Sequence, residues 1–566
     1  MAFGADLDAY QNASTSLALI EKRRNNSFLG ISWSEIKLLM IAGVGFLMDA
    51  YDLFIINMMY AIILQTYPKF YTRKTNKNID WGLDGGVLKA SANIGNVLGQ
   101  LIFGFFGDYF GRSAVYGKEL IVTIIGVIMI ISAPDYLGGD GVTYWIFAFR
   151  VLMGIGIGGD YPMSASVVSD RSNLKNRGRM LAIIFSNQGW GNLLGALLAV
   201  IVIACYRGPV VAGDTHKLSG AWRILQGLAL VPAFAVLYFR LTLVESTRFT
   251  QARAIQDDPE LLNKASAAGV IVSEEDDLQS GKGSEQGSLH LENKAVGLTG
   301  IVGQKPKNEF LEYFSNPRHA LYLFGCAACW FLVDITFYGI NLNQSTILAA
   351  IGFSNTNGVT RGEKAYSKLM KTATGNLIIT VAGFLPGYFF TIAFVDVVGR
   401  KPIQIMGFLM NALFLGILAG KFNDYAPHTN QIFPLFVFLQ FFFNFGANAT
   451  TFLYPVELFP TAVRSTAHGF CAACGKCGAI LASLLFSYLS DPTRIGYQNV
   501  FWIFFAISIL GAIISAVCLR EVRGFDPDED YRRELAEKAG LGQETRAALN
   551  AHHHQDEAPH KESESP

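Results

Sequence analysis

Carboxylates inside apolar segments are the residues of this sequence best suited to chemistry. Asp160 ends the glycine-rich part of the stretch GIGIGGDYP, Asp49 and Asp52 lie three residues apart in GFLMDAYDLF, and Asp334 lies in WFLVDITFYG. A three-residue spacing places Asp49 and Asp52 on one helix face. A carboxylate in a membrane-spanning helix costs about 2.5–3.5 kcal/mol on insertion scales and usually faces a cavity or a partner. We expect these acids to carry protons or to face a substrate, although Asp160 could also be an acid at a helix end in contact with water.

Two basic residues lie in the same kind of apolar surroundings. Lys476 stands in CAACGKCGAI, too near the middle of the run for its ammonium to reach the interface, and we expect it to need a partner. Arg150 precedes the acid of GIGIGGDYP by ten residues, which is about 15 Å along a helix and excludes a direct pair. Trp330 and Tyr338 lie four residues to either side of Asp334 and form one stripe with it.

The glycines Gly154, Gly156 and Gly159 formally match GxGxxG, the fingerprint of dinucleotide-binding loops. That fingerprint requires a preceding strand and a helix start that faces the phosphates. Here the glycines lie within an apolar run, where small residues four apart let neighbouring helices approach closely. We interpret them as a packing surface rather than as a nucleotide site.

Cysteines recur at short spacings, at Cys471, Cys474 and Cys477 and again as a CxxC at Cys326 and Cys329. A metal site needs converging thiolates and usually a fourth ligand, whereas cysteine also packs well as a small apolar residue. We therefore expect neither a metal nor a cofactor. The sequence has no recognisable pairing of a nucleophile with a base, so it indicates a protein that is not an enzyme.

The composition indicates a membrane protein. The 566 residues include 45 basic and 45 acidic side chains and 43 Phe, and the mean hydropathy is +0.32. The balanced charge offers no feature of a nucleic-acid partner. Apolar runs of about 20 residues, enough to cross the hydrocarbon core, predict an all-α membrane protein with twelve transmembrane helices. The predicted spans are 37–64, 88–107, 114–133, 142–168, 179–205, 222–243, 319–345, 371–396, 402–420, 431–456, 465–490 and 498–519.

These spans divide the chain into two six-helix halves. Ser, Gly, Glu, Asp and Lys dominate the segment between them, which predicts a flexible tether. No apolar run precedes the first span, and an even number of spans places both termini on one face, which we expect to be cytosolic. The predicted parts are an N-terminal tail 1–36, a first half 37–243, a flexible cytosolic linker 244–318, a second half 319–519 and a C-terminal tail 520–566.

A repeated loop relates the two halves. GFFGDYFGRS and GYFFTIAFVDVVGRK each place an acid four residues before an arginine, at Asp108 and Arg112 and at Asp396 and Arg400. The same motif at matching positions predicts parallel six-helix repeats. It resembles the loop motif of the major facilitator superfamily, and the resemblance implies the fold of that superfamily.

Longer motifs resemble the fungal phosphate:proton symporters of this superfamily over roughly residues 30–525. The chain departs from the family pattern at Ala447, where Pro is usual, and at Asp170, where Glu is usual. The motifs that carry the resemblance are GIGIGGDYP (154–162), FSNQGWG (185–191), WFLVDITFYGINLN (330–343), FNFGANATTF (443–452) and RSTAHG (464–469) with the following Gly475-Lys476.

The resemblance implies a proton-coupled importer of inorganic phosphate in the plasma membrane, working by alternating access. We keep two alternatives open, a porter of an organic phosphate such as a glycerophosphodiester and a phosphate-sensing transporter-receptor. The implied phosphate-binding residues are Tyr161, Gln188, Trp330, Asp334, Tyr338, Asn448 and Lys476. The implied proton-coupling residues are Asp49, Asp52, Asp160 and Asp334, with Arg150 as a nearby charge.

Overall fold

A computed structural model describes the chain over the residues that form the membrane bundle and the short helices beside it. The predicted tail 1–36 is described only from Trp33 and the C-terminal tail only to Lys538, so most of both tails lies outside the described residues. Most of the predicted linker 244–318 also lies outside them, although Glu309–Phe314 near its end forms a short helix. The described residues are 33–67, 85–172, 174, 176–242, 309–351, 353, 360–425, 429–491 and 494–538.

Twelve long helices form the described bundle, six in each half. Eleven of the candidate spans are long and apolar enough to cross a membrane. Polar side chains such as Asn93, Asn96 and Gln100 are buried along the second helix and lower its hydropathy. The six helices of the first half, the N-half, are α1 (Trp33–Phe54, continued by Ile56–Thr66), α2 (Gly85–Phe110), α3 (Lys118–Ile131), α4 (Gly138–Arg171), α5 (Arg177–Cys205) and α6 (Leu218–Gly227, continued by Leu230–Leu241).

The second half, the C-half, repeats this arrangement and is followed by one more helix. Its helices are α7 (Pro317–Asn341), α8 (Arg361–Ile379, a π-helical turn at Thr380–Phe384, and Leu385–Val398), α9 (Arg400–Tyr425), α10 (Thr429–Asn444, continued by Ala447–Leu458), α11 (Arg464–Leu489) and α12 (Gly496–Cys518), with α13 (Pro527–Lys538) after them.

The predicted spans agree with these helices apart from their ends. The largest difference is α8, which begins at Arg361 rather than at residue 371. Its start is a capping box, in which the Thr360 hydroxyl accepts the Glu363 N–H at 3.2 Å and the Glu363 carboxylate accepts the Thr360 N–H at 3.0 Å. These bonds satisfy two backbone donors that a helix start otherwise leaves open, and they extend the helix through a polar turn.

Glycines set how closely the helices cross. A Cβ added at Gly154 of α4 would lie 2.1 Å from the Ala92 carbonyl oxygen of α2, which agrees with the interpretation of these glycines as a packing surface. The halves meet along α2 with α11 and along α5 with α8. At the first of these contacts, a Cβ at Gly469 would lie 2.3 Å from the Gln100 carbonyl oxygen.

Ion pairs join the halves at one end of the bundle, which we call the tail face because the described chain begins and ends there. Each repeated loop forms an ion pair within its own half, Arg112 with Asp108 at 3.1 Å and Arg400 with Asp396 at 2.8 Å. Each acid also accepts backbone N–H groups of the other half, Asp108 from Thr466 at 2.7 Å and Asp396 from Arg179 at 3.0 Å. These contacts close the tail face.

Two further buried acids take matching places in these networks. Asp170, at the end of α4, accepts a hydrogen bond from Arg464 of the C-half and lies 3.4 Å from Arg112. Glu457, at the end of α10, lies 2.7 Å from Arg400 and 3.7 Å from Arg177 of the N-half. The two halves therefore repeat each other in their buried acid–arginine contacts as well as in the order of their helices.

Candidate functional site

The phosphate-binding residues implied by the sequence lie together between the two halves. We call this group, with Tyr388, the central pocket. Two irregular segments position part of it, because the π-helical turn of α8 ends four residues before Tyr388 and α10 restarts at Ala447, just before Asn448. Such π-helical turns and helix breaks are frequent at functional sites of membrane transporters. The seven implied residues are Tyr161 on α4, Gln188 on α5, Trp330, Asp334 and Tyr338 on α7, Asn448 on α10 and Lys476 on α11.

Lys476 is the cation of the pocket and has the partner that its position requires. Its ammonium lies 2.9 Å from the Asp334 carboxylate and donates to the Tyr338 hydroxyl at 2.8 Å. The same nitrogen lies 5.2 Å from the centroid of the Tyr161 ring. Lys476 and Asp334 have side chains only 2% and 1% exposed, so the pair is shielded from water and its attraction is strong.

Two amides and two hydroxyls form the other side of the pocket. The Gln188 carbonyl oxygen accepts from the Tyr388 hydroxyl at 2.6 Å and from the Asn448 amide at 3.2 Å. The Gln188 amide nitrogen lies 3.5 Å from the Tyr161 hydroxyl, at the limit of a hydrogen bond. Because Gln188 belongs to the N-half and Asn448 and Tyr388 to the C-half, this polar group lies across the line where the halves meet.

Aromatic rings enclose the polar groups. Trp330 packs so closely on α11 that a Cβ at Gly475 would lie 2.5 Å from its ring. Phe54 of α1 stacks on Tyr338 with 5.9 Å between ring centroids. On the tail-face side, Phe452 lies 6.4 Å from both the Trp330 and the Tyr161 ring centroids. The pocket therefore has polar walls within a buried aromatic shell.

Asp160 lies beside this pocket in a second buried cluster, where it pairs with Arg240. Its two carboxylate oxygens lie 2.8 and 3.0 Å from the two terminal guanidinium nitrogens, in a bidentate pair. Glu119 of α3 lies 3.2 Å from the same guanidinium, and the Tyr116 ring centroid lies 4.7 Å from its central carbon. Asp160 is 2% exposed and Glu119 1% exposed, so the interpretation of Asp160 as an acid in contact with water is wrong.

Asp49 joins the same cluster from α1. It is 4% exposed, and its carboxyl interacts with Asp160 and Arg240. One of its oxygens has no hydrogen-bond partner among the described residues. One turn earlier on α1, a Cβ at Gly45 would lie 1.6 Å from the Arg240 guanidinium. Glycine at that position therefore lets α1 approach the acid cluster, which consists of Asp49, Glu119, Asp160 and Arg240.

Asp52 and Arg150 form a separate contact, which belongs to the N-half as the acid cluster does. Arg150 is fully buried and donates to the Asp52 backbone carbonyl at 3.1 Å and to the Ser91 hydroxyl at 3.3 Å. The Asp52 carboxylate accepts from the Gln226 amide at 2.6 Å, and its other oxygen has no partner in the described part of the chain. Arg150 thus contacts Asp52, whereas Asp160 pairs with Arg240. This agrees with the distance along the helix between Arg150 and Asp160, which excluded a direct pair.

Three residues of these clusters were not singled out from the sequence. Tyr388 follows a proline and a glycine in a run rich in Phe, which gives a hydroxyl no special signal. Glu119 and Arg240 lie close to the ends of their helices and resemble ordinary interfacial charges. A search for a basic partner of Asp160 in every span would have considered Arg240, because a buried carboxylate requires one.

Comparisons with known proteins agree with this arrangement. The sequence profile of the sugar (and other) transporter family matches residues 38–529. The chain belongs to this family. It is 42% identical over 560 residues to a putative inorganic phosphate transporter of Schizosaccharomyces pombe, covering 94% of this chain and 96% of that protein. The inorganic phosphate transporter PHO84 of Saccharomyces cerevisiae is 36% identical over 505 residues, covering 85% of this chain and 82% of that protein.

Solved structures of similar fold show the architecture of the transporter. The proton:xylose symporter XylE of the major facilitator superfamily, bound to a bromo-deoxyglucose, superposes with a TM-score of 0.61 at 20% sequence identity. The match covers 88% of this chain and 98% of that chain. A partially occluded, inward-open form of XylE from E. coli gives a TM-score of 0.59 at 19% identity. The transporter therefore has the major facilitator fold of two six-helix halves, as the repeated loops predicted.

Proposed function

We propose that this transporter imports inorganic phosphate together with protons by alternating access. The observation that carries the proposal is the buried pair of Lys476 and Asp334 at the centre of the pocket, 2.9 Å apart. The ammonium of Lys476 is the group suited to hold an anion there, because charge-assisted bonds to phosphate oxygens are stronger than neutral ones. Tyr161 and Tyr338 supply hydroxyls, and Gln188 and Asn448 supply amide donors.

Competition for Lys476 gives a physical reason for coupling to protons. Asp334 already neutralises the ammonium, so an incoming phosphate anion would meet a carboxylate at the same nitrogen. Protonation of Asp334 removes that repulsion and frees Lys476 for the anion. Proton binding and phosphate binding then favour each other, and this favourable linkage is what a symporter requires.

The acid cluster supports a second role for protons. Asp49, Glu119 and Asp160 surround the single guanidinium of Arg240. Three ionised carboxylates around one cation would leave a net charge of about −2 in a buried site, where unpaired charge is costly. We infer that the cluster retains protons in this form, in which the tail face is closed, and exchanges them when the halves move. Asp52, which lies beside Arg150, provides a further carboxyl close to the acid cluster for the same proton exchange.

Orientation and location follow from the proposed direction of transport. We assign the tail face to the cytosol, which makes both termini cytosolic, and place the transporter in the plasma membrane, where an inward proton gradient drives uptake. The ion pairs of the tail face then close the cytosolic side until phosphate and protons are bound. The chemistry needs no covalent step and no enzyme activity.

Competition during uptake tests the substrate. Purified transporter in liposomes takes up radiolabelled phosphate, and excess unlabelled phosphate is expected to abolish the signal while glycerophosphodiesters leave it unchanged. Xylose serves as a control, because the fold is shared with a xylose symporter. Strong competition by a glycerophosphodiester, with transport of the labelled diester itself, would replace this proposal by the organic-phosphate alternative.

A further inference from the structure

The C-terminal helix α13 is docked on the ion pairs that close the tail face. Asp528, in its first turn, lies 3.1 Å from Arg464 of the C-half, and the same guanidinium pairs with Asp170 of the N-half. Just before α13, the Phe525 carbonyl accepts from Arg177 of the N-half at 2.7 Å. The segment therefore contacts groups of both halves, and its docking supports the closed tail face.

A histidine joins α13 to α7 and to the short helix Glu309–Phe314. His319, in the first turn of α7, is 6% exposed. Its Nε2 lies 3.1 Å from the Glu534 carboxylate of α13, and its Nδ1 lies 3.1 Å from the Tyr313 backbone carbonyl. The Tyr313 ring stacks on the imidazole with 4.1 Å between centroids and contacts the Tyr531 ring of α13 at 5.3 Å. Three elements thus meet around one imidazole.

Both nitrogens of His319 face acceptors. A backbone carbonyl and a carboxylate only accept, whereas a neutral imidazole has one donor nitrogen and one acceptor nitrogen. The neutral ring would therefore place a lone pair against one of its two partners, and only the imidazolium donates to both. Its bond to Glu534 is charge-assisted, which makes it about twice as strong as a neutral one. The stacked Tyr313 ring also attracts a cation.

Acidic groups predominate around this contact. Apart from Tyr313, Tyr531 and Glu534, the titratable groups near it are Glu309 and Glu312 of the short helix, Arg318 and Tyr322 of α7, and Asp528 and Asp530 of α13. Arg318 donates to the Tyr322 hydroxyl at 3.3 Å. Because acids outnumber the single arginine, a proton on His319 reduces the repulsion among the groups that come together when α13 docks.

We propose that His319, Glu534 and Tyr313 form a pH-sensitive clamp that holds α13 on the tail face. Histidine is the side chain that ordinarily changes charge between about pH 5 and pH 8. The imidazolium makes a bond to Glu534 that the neutral ring cannot make, so docking is strongest at low pH and weakens as rising pH removes the proton. An acidic solution on the tail-face side therefore favours the closed tail face. The clamp does not depend on the substrate of the central pocket.

Hydrogen–deuterium exchange of the full-length purified transporter at pH 6 and pH 8 tests the clamp. The measured quantity is the protection of α13 amides, which is the exchange rate relative to an unstructured chain at the same pH. Protection is expected to fall about tenfold from pH 6 to pH 8, the effect of losing one charge-assisted hydrogen bond. The Thr461 amide should follow the same pattern, because it donates to Asp528 at 2.6 Å and reports docking of α13.

Variants of the clamp separate it from other titrating groups. In Glu534→Gln the amide either accepts from the imidazolium or donates to the neutral ring, so protection is expected to be nearly equal at the two pH values. Glu529→Gln is the matched control, because Glu529 pairs with Arg533 on the same helix, and it keeps the wild-type dependence. His319→Gln on α7 removes the titrating ring and is also expected to lose the dependence.

Equal protection of wild-type α13 at pH 6 and pH 8 overturns the clamp. The wild-type pH dependence in folded Glu534→Gln or folded His319→Gln overturns it as well, because another group would then be titrating. Either result leaves the proposed phosphate import intact. Failure of the wild type to take up phosphate would overturn the proposed function and leave the exchange result unaffected.

Discussion

At the scale of single residues, two buried carboxylates of the site have different partners. Asp334 pairs with the ammonium of Lys476, for which we propose that phosphate competes, whereas Asp160 is held by Arg240 beside the pocket. The first acid is in a position to compete with phosphate directly. The second can affect transport only through protons or through the packing of the N-half, and the two acids therefore lead to different predictions.

Asp334→Asn removes the competing charge but keeps an amide of the same shape beside Lys476. We expect phosphate binding to persist and to lose its increase at low pH, while accumulation driven by a pH gradient is lost. Phosphate binding to the purified variant is measured by isothermal titration calorimetry between pH 5 and pH 8. Lys476→Ala is the control, because it removes the cation and is expected to abolish measurable binding. A pH dependence equal to that of wild type in Asp334→Asn would contradict the competition mechanism.

Asp160→Asn tests the acid cluster. The amide keeps the size of the side chain but cannot carry a proton, so gradient-driven uptake is expected to collapse while phosphate binding at Lys476 survives. Arg240 keeps Glu119 as a charged partner at 3.2 Å, so thermal stability is expected to fall by less than the about 3–5 kcal/mol that a buried charge left without a partner costs. Glu119→Gln is the matched comparison, because it removes the other carboxylate that contacts Arg240. Gradient-driven uptake in Asp160→Asn at matched protein levels would show that the pair with Arg240 is purely structural.

The sequence is informative about some of these residues and silent about others. Helical spacing places Trp330, Asp334 and Tyr338 on one face, and the cost of a lysine near mid-span predicts a partner for Lys476. Their phosphate-binding role is implied only by the family resemblance. The pairing of Asp160 with Arg240 could not be predicted in this way, because the two residues lie 80 positions apart and meet only when α4 and α6 are packed. Their contact is a property of the tertiary structure.

At the scale of elements, the crossing of α2 with α4 fixes the acid cluster and the pocket together. Gly154 lies at this crossing, and Asp160 and Tyr161 follow it on the same helix. A Cβ at Gly154 would lie 2.1 Å from the Ala92 carbonyl oxygen, too close for the helices to keep this distance. Helix length and the repeat could be predicted from hydropathy and from the duplicated loop motif. The early start of α8 at Arg361 could not, because its first turns are too polar for a hydropathy signal and depend on the capping box.

Gly154→Ala is expected to push α4 away from α2, to lower the Tm of the purified protein clearly and to reduce the yield of monodisperse protein. Gly208→Ala is the matched control, because a Cβ at Gly208 meets no atom within 4 Å. Differential scanning fluorimetry and size-exclusion chromatography measure both effects. Equal Tm values for the two variants would show that this crossing tolerates a larger separation than the packing indicates.

At the scale of the whole molecule, the two halves carry matching parts and differ in function. The Asp108 and Asp396 pairs, and the Asp170 and Glu457 contacts, occur once in each half at the tail face. The central pocket is not duplicated: the C-half contributes Lys476 and Asp334 to it, the N-half contributes Tyr161 and Gln188, and the acid cluster lies beside it in the N-half alone. On the proposed function, Lys476 of the C-half holds the anion, and protons are exchanged at Asp334 of the C-half and at the acid cluster of the N-half.

The predicted linker 244–318 joins these halves, and most of it lies outside the described residues. Its composition predicts a tether, so deletion of residues 260–300 is expected to leave phosphate uptake and Tm close to wild type. Uptake by the shortened chain in liposomes measures this, with the intact chain at equal protein density as the control. A deletion variant that folds and inserts but does not transport would show that the segment takes part in the cycle.

Proton-coupled phosphate import is tested most directly by phosphate accumulation in liposomes that contain the purified transporter, with and without an imposed pH gradient, acidic outside. We expect the gradient to drive internal phosphate above the external concentration and phosphate entry to acidify the lumen. Lys476→Ala liposomes of equal protein density should show neither effect. Phosphate that only equilibrates across the membrane, at the same rate with and without the gradient and without any change in internal pH, would contradict proton-coupled import.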